Sequence, residues 1–342
     1  MTDTPQDAPP PPHVQVIQMA SSLWVSRLLF VAAKLGLADL IAAGTTNAKA
    51  LAAKTQSHER SMHRILRALG CIGILEQAEN GTIKLTELGE TLRSDHPAKV
   101  RSTVLMIAGP WMWQSFGEIE HSVATGKPAA DKVFGMPIFD YIAKHPDQVS
   151  IFSEAMVGIH GQEPAAVAEA YDFSAFGTIV DVGGATGNLL GTILKNHPKP
   201  KGLLYDMPHV IVDAPAFLAT LGVADRISTE GGSFFDRVPT GGDAYILSHI
   251  IHDWSEAQCL TILGHCRKAM KPGAKLLIVE MVLPEGNEPH PGKMLDLVML
   301  TVPGGEERTS SEYGELLAKA GLRMTRVVPT ASAVSVVEAE IA

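Results

Sequence analysis

Cysteine is scarce: three occur in 342 residues, Cys71, Cys259 and Cys266, with no paired spacing. An odd set of this kind excludes a disulfide framework and fits a reducing, cytoplasmic setting. Positive charge is also in deficit, 28 Lys+Arg against 37 Asp+Glu for a net charge of −9. Nonspecific attraction to nucleic acid or to anionic lipid is therefore not expected. No uninterrupted apolar run reaches the length of a membrane span. The Pro-rich start, with Pro9 to Pro12 in a row, is unlike a signal peptide and reads as a disordered tail over residues 1–13. Two nucleotide signatures are missing as well, the G-x-G-x-x-G turn of nicotinamide enzymes and the G-x-x-x-x-G-K-[ST] loop of triphosphate enzymes.

What the chain does contain is centred on Thr178-Ile-Val-Asp181-Val-Gly183-Gly184-Ala185-Thr-Gly187. The β-branched residues favour a buried strand. The glycines permit positive φ and a close approach of backbone to ligand. Asn188 to Lys195 then has helical spacing, and such a strand-to-helix turn is where open α/β sheets seat nucleotide-like ligands. Length allows two domains of ordinary size.

Helical spacing runs through 14–43, punctuated by Gly36 and Gly44, and resumes at Met62, Ile65, Leu66 and Leu69. Asn80-Gly81 between apolar pairs predicts a hairpin. Helices followed by a hairpin suggest a winged helix over 14–95. A winged helix raises two possibilities, DNA recognition through His58, Arg60, His63, Arg64 and Arg67, or packing against a second subunit. The first hundred residues hold ten Lys+Arg against nine Asp+Glu. Phosphate binding needs clustered positive charge, so packing is favoured. Residues 96–170 form a helical region rich in Met and aromatics, suited to a core or to an aromatic-ligand pocket.

From residue 171 strands and helices alternate, which implies a mostly parallel sheet covered on both faces. Asp206 ends the second strand, nineteen positions after Gly187, where an acid can accept ribose hydroxyls. Ser248-His-Ile-Ile-His252-Asp253-Trp254 follows the fourth strand. Glu280 ends the fifth, and Glu307 lies in Pro303-Gly-Gly-Glu-Glu307-Arg-Thr309. A histidine near pKa 6.5 suits proton removal near neutral pH, with carboxylates to hold the ring. No residue set has the spacing of a metal site, so a metal-free proton abstraction is expected.

These motifs, in this order, resemble class I S-adenosylmethionine-dependent O-methyltransferases of the caffeic acid and acetylserotonin type, including their bacterial small-molecule relatives. The resemblance covers almost everything after residue 14. It implies a Rossmann-like α/β catalytic domain over 171–342 behind an N-terminal, all-helical winged-helix domain that forms a homodimer. It implies S-adenosyl-L-methionine as cofactor, held by Asp181, Gly183, Gly184, Gly187, Asp206, Met207, Ser233, Phe234 and Ser248. His252 maps to the general base and Glu280 and Glu307 to its supports. Trp113, Phe152, Met156, Asp253 and Met299 are the residues expected to meet the substrate.

Three positions depart from the family pattern. Ala185 replaces the middle glycine of the turn, Ser233 replaces an acid near the adenine, and Ser248 replaces a lysine found in plant members. A phenol near pKa 10 is within reach of an imidazole while an aliphatic alcohol is not, so the expected acceptor is an aromatic hydroxyl. The alternatives are a repurposed scaffold (N-methylation, decarboxylation or hydroxylation) and a winged-helix regulator.

Overall fold

The computed structural model describes residues 9–79 and 81–342. Residues 1–8 of the expected tail, and Asn80 of the expected turn, lie outside them. The chain divides into two units, Met1–Gln114 with Ile142–Ile159, and Ser115–Tyr141 with His160–Ala342. Residues of the helical region 96–170 fall in both units.

The first unit is helical except for one hairpin. Its first helix, Pro12–Lys34, starts inside the stretch expected to be a tail, because Pro12 at the first helical position has the φ a helix needs. The helix runs to 23 residues, and its length and composition would suffice to cross a membrane. Counting uninterrupted apolar runs missed it, because Gln15, Gln18, Ser21, Ser22 and Arg27 break the run while leaving the mean apolar. In the helix Glu59–Cys71, Met62, Leu66 and Leu69 are buried on one face. They pack with Leu37, Leu51 and Ile74 in one core. The hairpin pairs β1 (Leu75–Gln77) with β2 (Ile83–Leu85) antiparallel. A side chain on Gly89 would overlap the carbonyl oxygen of Ile74, so the helix after the hairpin is pressed onto its base.

The second unit is built on a seven-stranded sheet. Its parallel strands are β3 (Thr178–Val182), β4 (Lys201–Asp206), β5 (Ile227–Gly231), β6 (Ala244–Ser248) and β7 (Lys275–Glu280). Two-residue strands β8 (Val282–Leu283) and β9 (Arg308–Thr309) pair with each other. β10 (Leu322–Pro329) and β11 (Ser335–Ile341) close the sheet antiparallel, in the order β10-β11-β7-β6-β3-β4-β5. One face is covered by the helices Glu256–Ala269 and Ser310–Lys319, whose Cys259, Ile262, Cys266 and Tyr313 are buried. Glu163–Ala170, Asn188–Asn196 and Ala214–Thr220 cover the other through Val167, Leu190, Ile193 and Leu218.

The order in which strands are added reverses at β3, although β3 and β6 run parallel. β4 and β5 extend to one side of β3, and β6 and β7 to the other. Loops leaving neighbouring strands at such a point part in opposite directions and leave a crevice at the carboxyl ends. The glycine turn follows β3 and the Ser248–Trp254 segment follows β6, so both border that crevice.

Candidate active site

On the β3 side the crevice is a cradle that side chains would fill. Gly183 takes φ +76°, and a Cβ there would meet Ile250 Cδ1 at 2.5 Å and Phe234 Cε1 at 3.4 Å. A Cβ on Gly184 would overlap the carboxylate of Asp181. Gly187, also left-handed, caps the helix Asn188–Asn196. Ala185 adopts φ +50°, so the turn keeps the left-handed backbone of a glycine with a methyl attached.

Two carboxylates meet this turn. Asp206 accepts hydrogen bonds from the backbone N–H of Ala185 at 2.9 Å and of Met207 at 2.6 Å, tying the turn to the end of β4. Each oxygen keeps a further lone pair, and burial raises the acid above its ordinary value. Asp181 is fully buried, and neither of its oxygens has a bonding partner. Burial, then the charge of Asp206, pushes it up to about 7, and the nearby Leu190 amide offsets little of this. Ser233 caps a turn by accepting the N–H of Phe235 at 3.2 Å, and its carbonyl accepts the hydroxyl of Tyr205. Phe234 packs in an aromatic group with Phe235 and Trp254. Met207 is exposed beside Asp206, and Ser248 is half-buried at the end of β6, opposite Val279.

On the β6 side the structure brings His252, Glu280 and Glu307 together, all buried. Nδ1–H of His252 donates to Glu307 Oε1 at 2.6 Å. Nε2 lies 3.8 Å from Asp253 Oδ1, too far for a hydrogen bond, and is left for a ligand. Glu280 supports the base from behind its ring. Its Oε1 accepts the backbone N–H groups of Ile250 and His252 at 3.1 and 3.2 Å, and its Oε2 accepts the hydroxyl of Tyr313. Its hydrogen bonds fix the segment that carries the base, while its charge favours the protonated ring.

Glu307 is held in turn. Its backbone N–H donates to Asp296 Oδ1 at 2.9 Å, and Glu306 N–H donates to the carbonyl of His252 at 2.8 Å. A side chain on Gly305 would overlap that same carbonyl, so the loop docks only because the residue is glycine. Burial by itself would lower the proton affinity of His252. Asp253, Glu307 and Glu280 outweigh it and bring the imidazole up to about 10. Three carboxylates around a desolvated ring thus raise it above the ordinary value near 6.5. Burial in turn raises Asp253 to about 6, against the opposing effect of His252.

Met299 is buried near the end of the helix Pro291–Thr301 in this same unit. Trp113, Phe152 and Met156 belong to the other unit. Trp113 is exposed, with the Arg27 guanidinium 4.9 Å from its ring centroid, and Phe152 and Met156 are half-buried on the helix Pro146–His160. Sequence reasoning missed Ile250, Asp296, Gly305 and Tyr313. Ile250 and Gly305 sit inside motifs already singled out, whereas nothing in the sequence marks Asp296 or Tyr313.

Residues 116–323 match the O-methyltransferase domain and residues 17–95 the O-methyltransferase dimerisation domain. The chain belongs to the O-methyltransferase family. Over 95% of its length, and 95% of the relative's, it is 45% identical to the phenazine O-methyltransferase PhzM of Lysobacter antibioticus. It is 39% identical to the O-demethylpuromycin-O-methyltransferase of Streptomyces alboniger, over 88% of this chain and 81% of that one. Its fold is similar to the crystal structure of NcsB1, an O-methyltransferase from neocarzinostatin biosynthesis, in complex with S-adenosylmethionine and 2-hydroxy-5-methyl naphthoic acid. There the TM-score is 0.85 and the identity 33%, over 95% of this chain and 98% of that one. This O-methyltransferase is S-adenosylmethionine-dependent, and the glycine cradle with its two carboxylates fits that cofactor.

Proposed function

We infer that this enzyme methylates a phenolic hydroxyl of a small aromatic molecule, with His252 holding the phenol's proton. The observation that carries the reading is the 2.6 Å bond from His252 Nδ1 to Glu307, which fixes the ring and leaves Nε2 for the acceptor oxygen. A proton affinity of about 10 is close to that of a phenol, about 10. Near-matched partners share a proton with little penalty, so the oxygen gains phenolate character beside an imidazolium. An aliphatic alcohol is several units less acidic and would keep its proton.

Bound S-adenosylmethionine supplies a methyl already activated by a positive sulfur. The residues that would hold it are Asp181, Gly183, Gly184, Gly187, Asp206, Met207, Ser233, Phe234 and Ser248. The protein's own work is alignment, worth on the order of 7–11 kcal/mol at most, and management of one proton, worth about 10²–10⁴-fold. Asp253 and Met299 are assigned to the substrate. Retention of the base and both supporting carboxylates favours O-methylation over a repurposed scaffold.

The enzyme works as a cytoplasmic homodimer through its front unit. Val16, Ile17, Met19, Leu23 and Trp24 are exposed on the helix Pro12–Lys34, and Trp24 keeps 71% of its surface. An apolar surface of this extent calls for a partner. Light scattering on the purified protein should give twice the chain mass, and Trp24→Asp should shift it toward the monomer.

The function is tested with S-adenosylmethionine and a panel of phenols and aliphatic alcohols of similar size. Turnover confined to phenols, and reduced at least about 10²-fold in His252→Ala, is the expected result. Methylation of aliphatic alcohols, or near-full activity in a folded His252→Ala, would sink the reading.

A further inference from the structure

A second polar cluster lies beside the base. His160 ends one helix and Glu163 begins the next, while His249 comes from the end of β6, 86 residues after Glu163. His160 Nδ1 and His249 Nε2 lie 2.9 and 2.7 Å from the same atom, Glu163 Oε2. All three donor atoms fall within 4.8 Å of one another, and the two rings are 3.9 Å apart. The methyl transfer as argued above assigns none of these residues a task.

Several features of the cluster go beyond a structural hydrogen-bond triad. His249 takes φ +52°, a left-handed backbone that a β-carbon disfavours. Strain of this kind gathers where a side chain must be aimed for a purpose. Its Nδ1 is buried with no partner. Glu163 is buried too.

We propose that His160, Glu163 and His249 form a binding site for a divalent transition-metal ion of the zinc class. Two imidazole nitrogens and one carboxylate are a nitrogen-rich donor set that suits zinc and its neighbours, whereas magnesium and calcium require oxygen ligands. Metal–ligand distances of about 2.0–2.1 Å place tetrahedral donors about 3.3 Å apart. The 2.7 and 2.9 Å contacts need to open by only about half an ångström to admit the ion. Three protein ligands leave one position for water or a substrate atom. Sequence spacing gave no hint of the site, because its parts are joined only by the fold.

The test is titration of tag-free, chelator-treated full-length protein with Co²⁺, read by its visible ligand-field absorption. One equivalent should saturate the band and one equivalent of Zn²⁺ should abolish it. His160→Ala and Glu163→Gln should each weaken Co²⁺ binding by at least about tenfold with an unchanged circular dichroism spectrum. His252→Ala should keep the band, which separates this site from the base. No band in the wild-type protein, a band that survives His160→Ala, or one lost with His252→Ala would overturn the proposal. The readout does not involve methyl transfer, so it stands or falls separately from the assigned substrate class.

Discussion

Glu280 does not touch the imidazole of His252; it grips the backbone behind it. One oxygen takes the N–H groups of Ile250 and His252, and the other takes the hydroxyl of Tyr313, which is fully buried. Glu280→Gln keeps an acceptor for the two amides, so folding and most activity should survive. Glu280→Ala strands three buried donors at about 1–3 kcal/mol each. Denaturant unfolding should show a loss of several kcal/mol in Glu280→Ala and much less in Glu280→Gln. Equal losses would mean that charge, not hydrogen bonding, is what matters there.

The pH dependence follows from His252. Its proton affinity in the folded enzyme, about 10, exceeds the ordinary 6.5. Activity should rise with pH above neutrality as the imidazole loses the proton that it holds at rest. Glu307→Gln removes one of the charges responsible, so the rising limb should move to lower pH while kcat falls roughly 10–10²-fold through lost orientation. An unmoved limb would assign it to another group.

The same group predicts a stability trend of defined sign. A histidine whose folded value lies above its unfolded value stabilises the fold fully below the unfolded value, 6.5, and loses that contribution as pH rises through about 10. Melting temperatures of wild type and His252→Ala should converge as pH rises from 6.5 toward 10. Parallel curves across that window would contradict the assignment.

Ala185 and Gly305 make opposite predictions about backbone. Ala185 pays for a φ of +50°, so Ala185→Gly should relieve about 1–2 kcal/mol of left-handed strain, less the added flexibility of glycine in the unfolded chain. S-adenosylhomocysteine affinity by calorimetry should be retained or improved.

At Gly305 an added methyl collides with the His252 carbonyl. Gly305→Ala should displace the Glu307 loop and lower kcat/KM by at least about 10²-fold. Near-wild-type kcat/KM in a folded Gly305→Ala would show that the loop accommodates the methyl.

Local pattern determined much of this protein. β-Branched residues marked the strand β3, Asp206 and Glu280 were placed at strand ends, and glycines marked the turn after β3, because backbone preferences are decided by near neighbours. The identity of His252, Glu280 and Glu307 as a group followed from their position at strand ends and from family motifs. Tertiary structure decided the chemistry of that group. Whether Glu280 would face a ring or a backbone, and whether His252 would titrate near 6.5 or 10, depends on distances between segments far apart in the chain. Tyr313 and Asp296 carry no local mark, since a buried hydroxyl or carboxylate acquires its role only from the partner the fold supplies. The same holds for His160, Glu163 and His249. Sequence spacing encodes helix faces and strand faces, but desolvation and charge coupling fall off over a few ångströms of space, and only folding sets those.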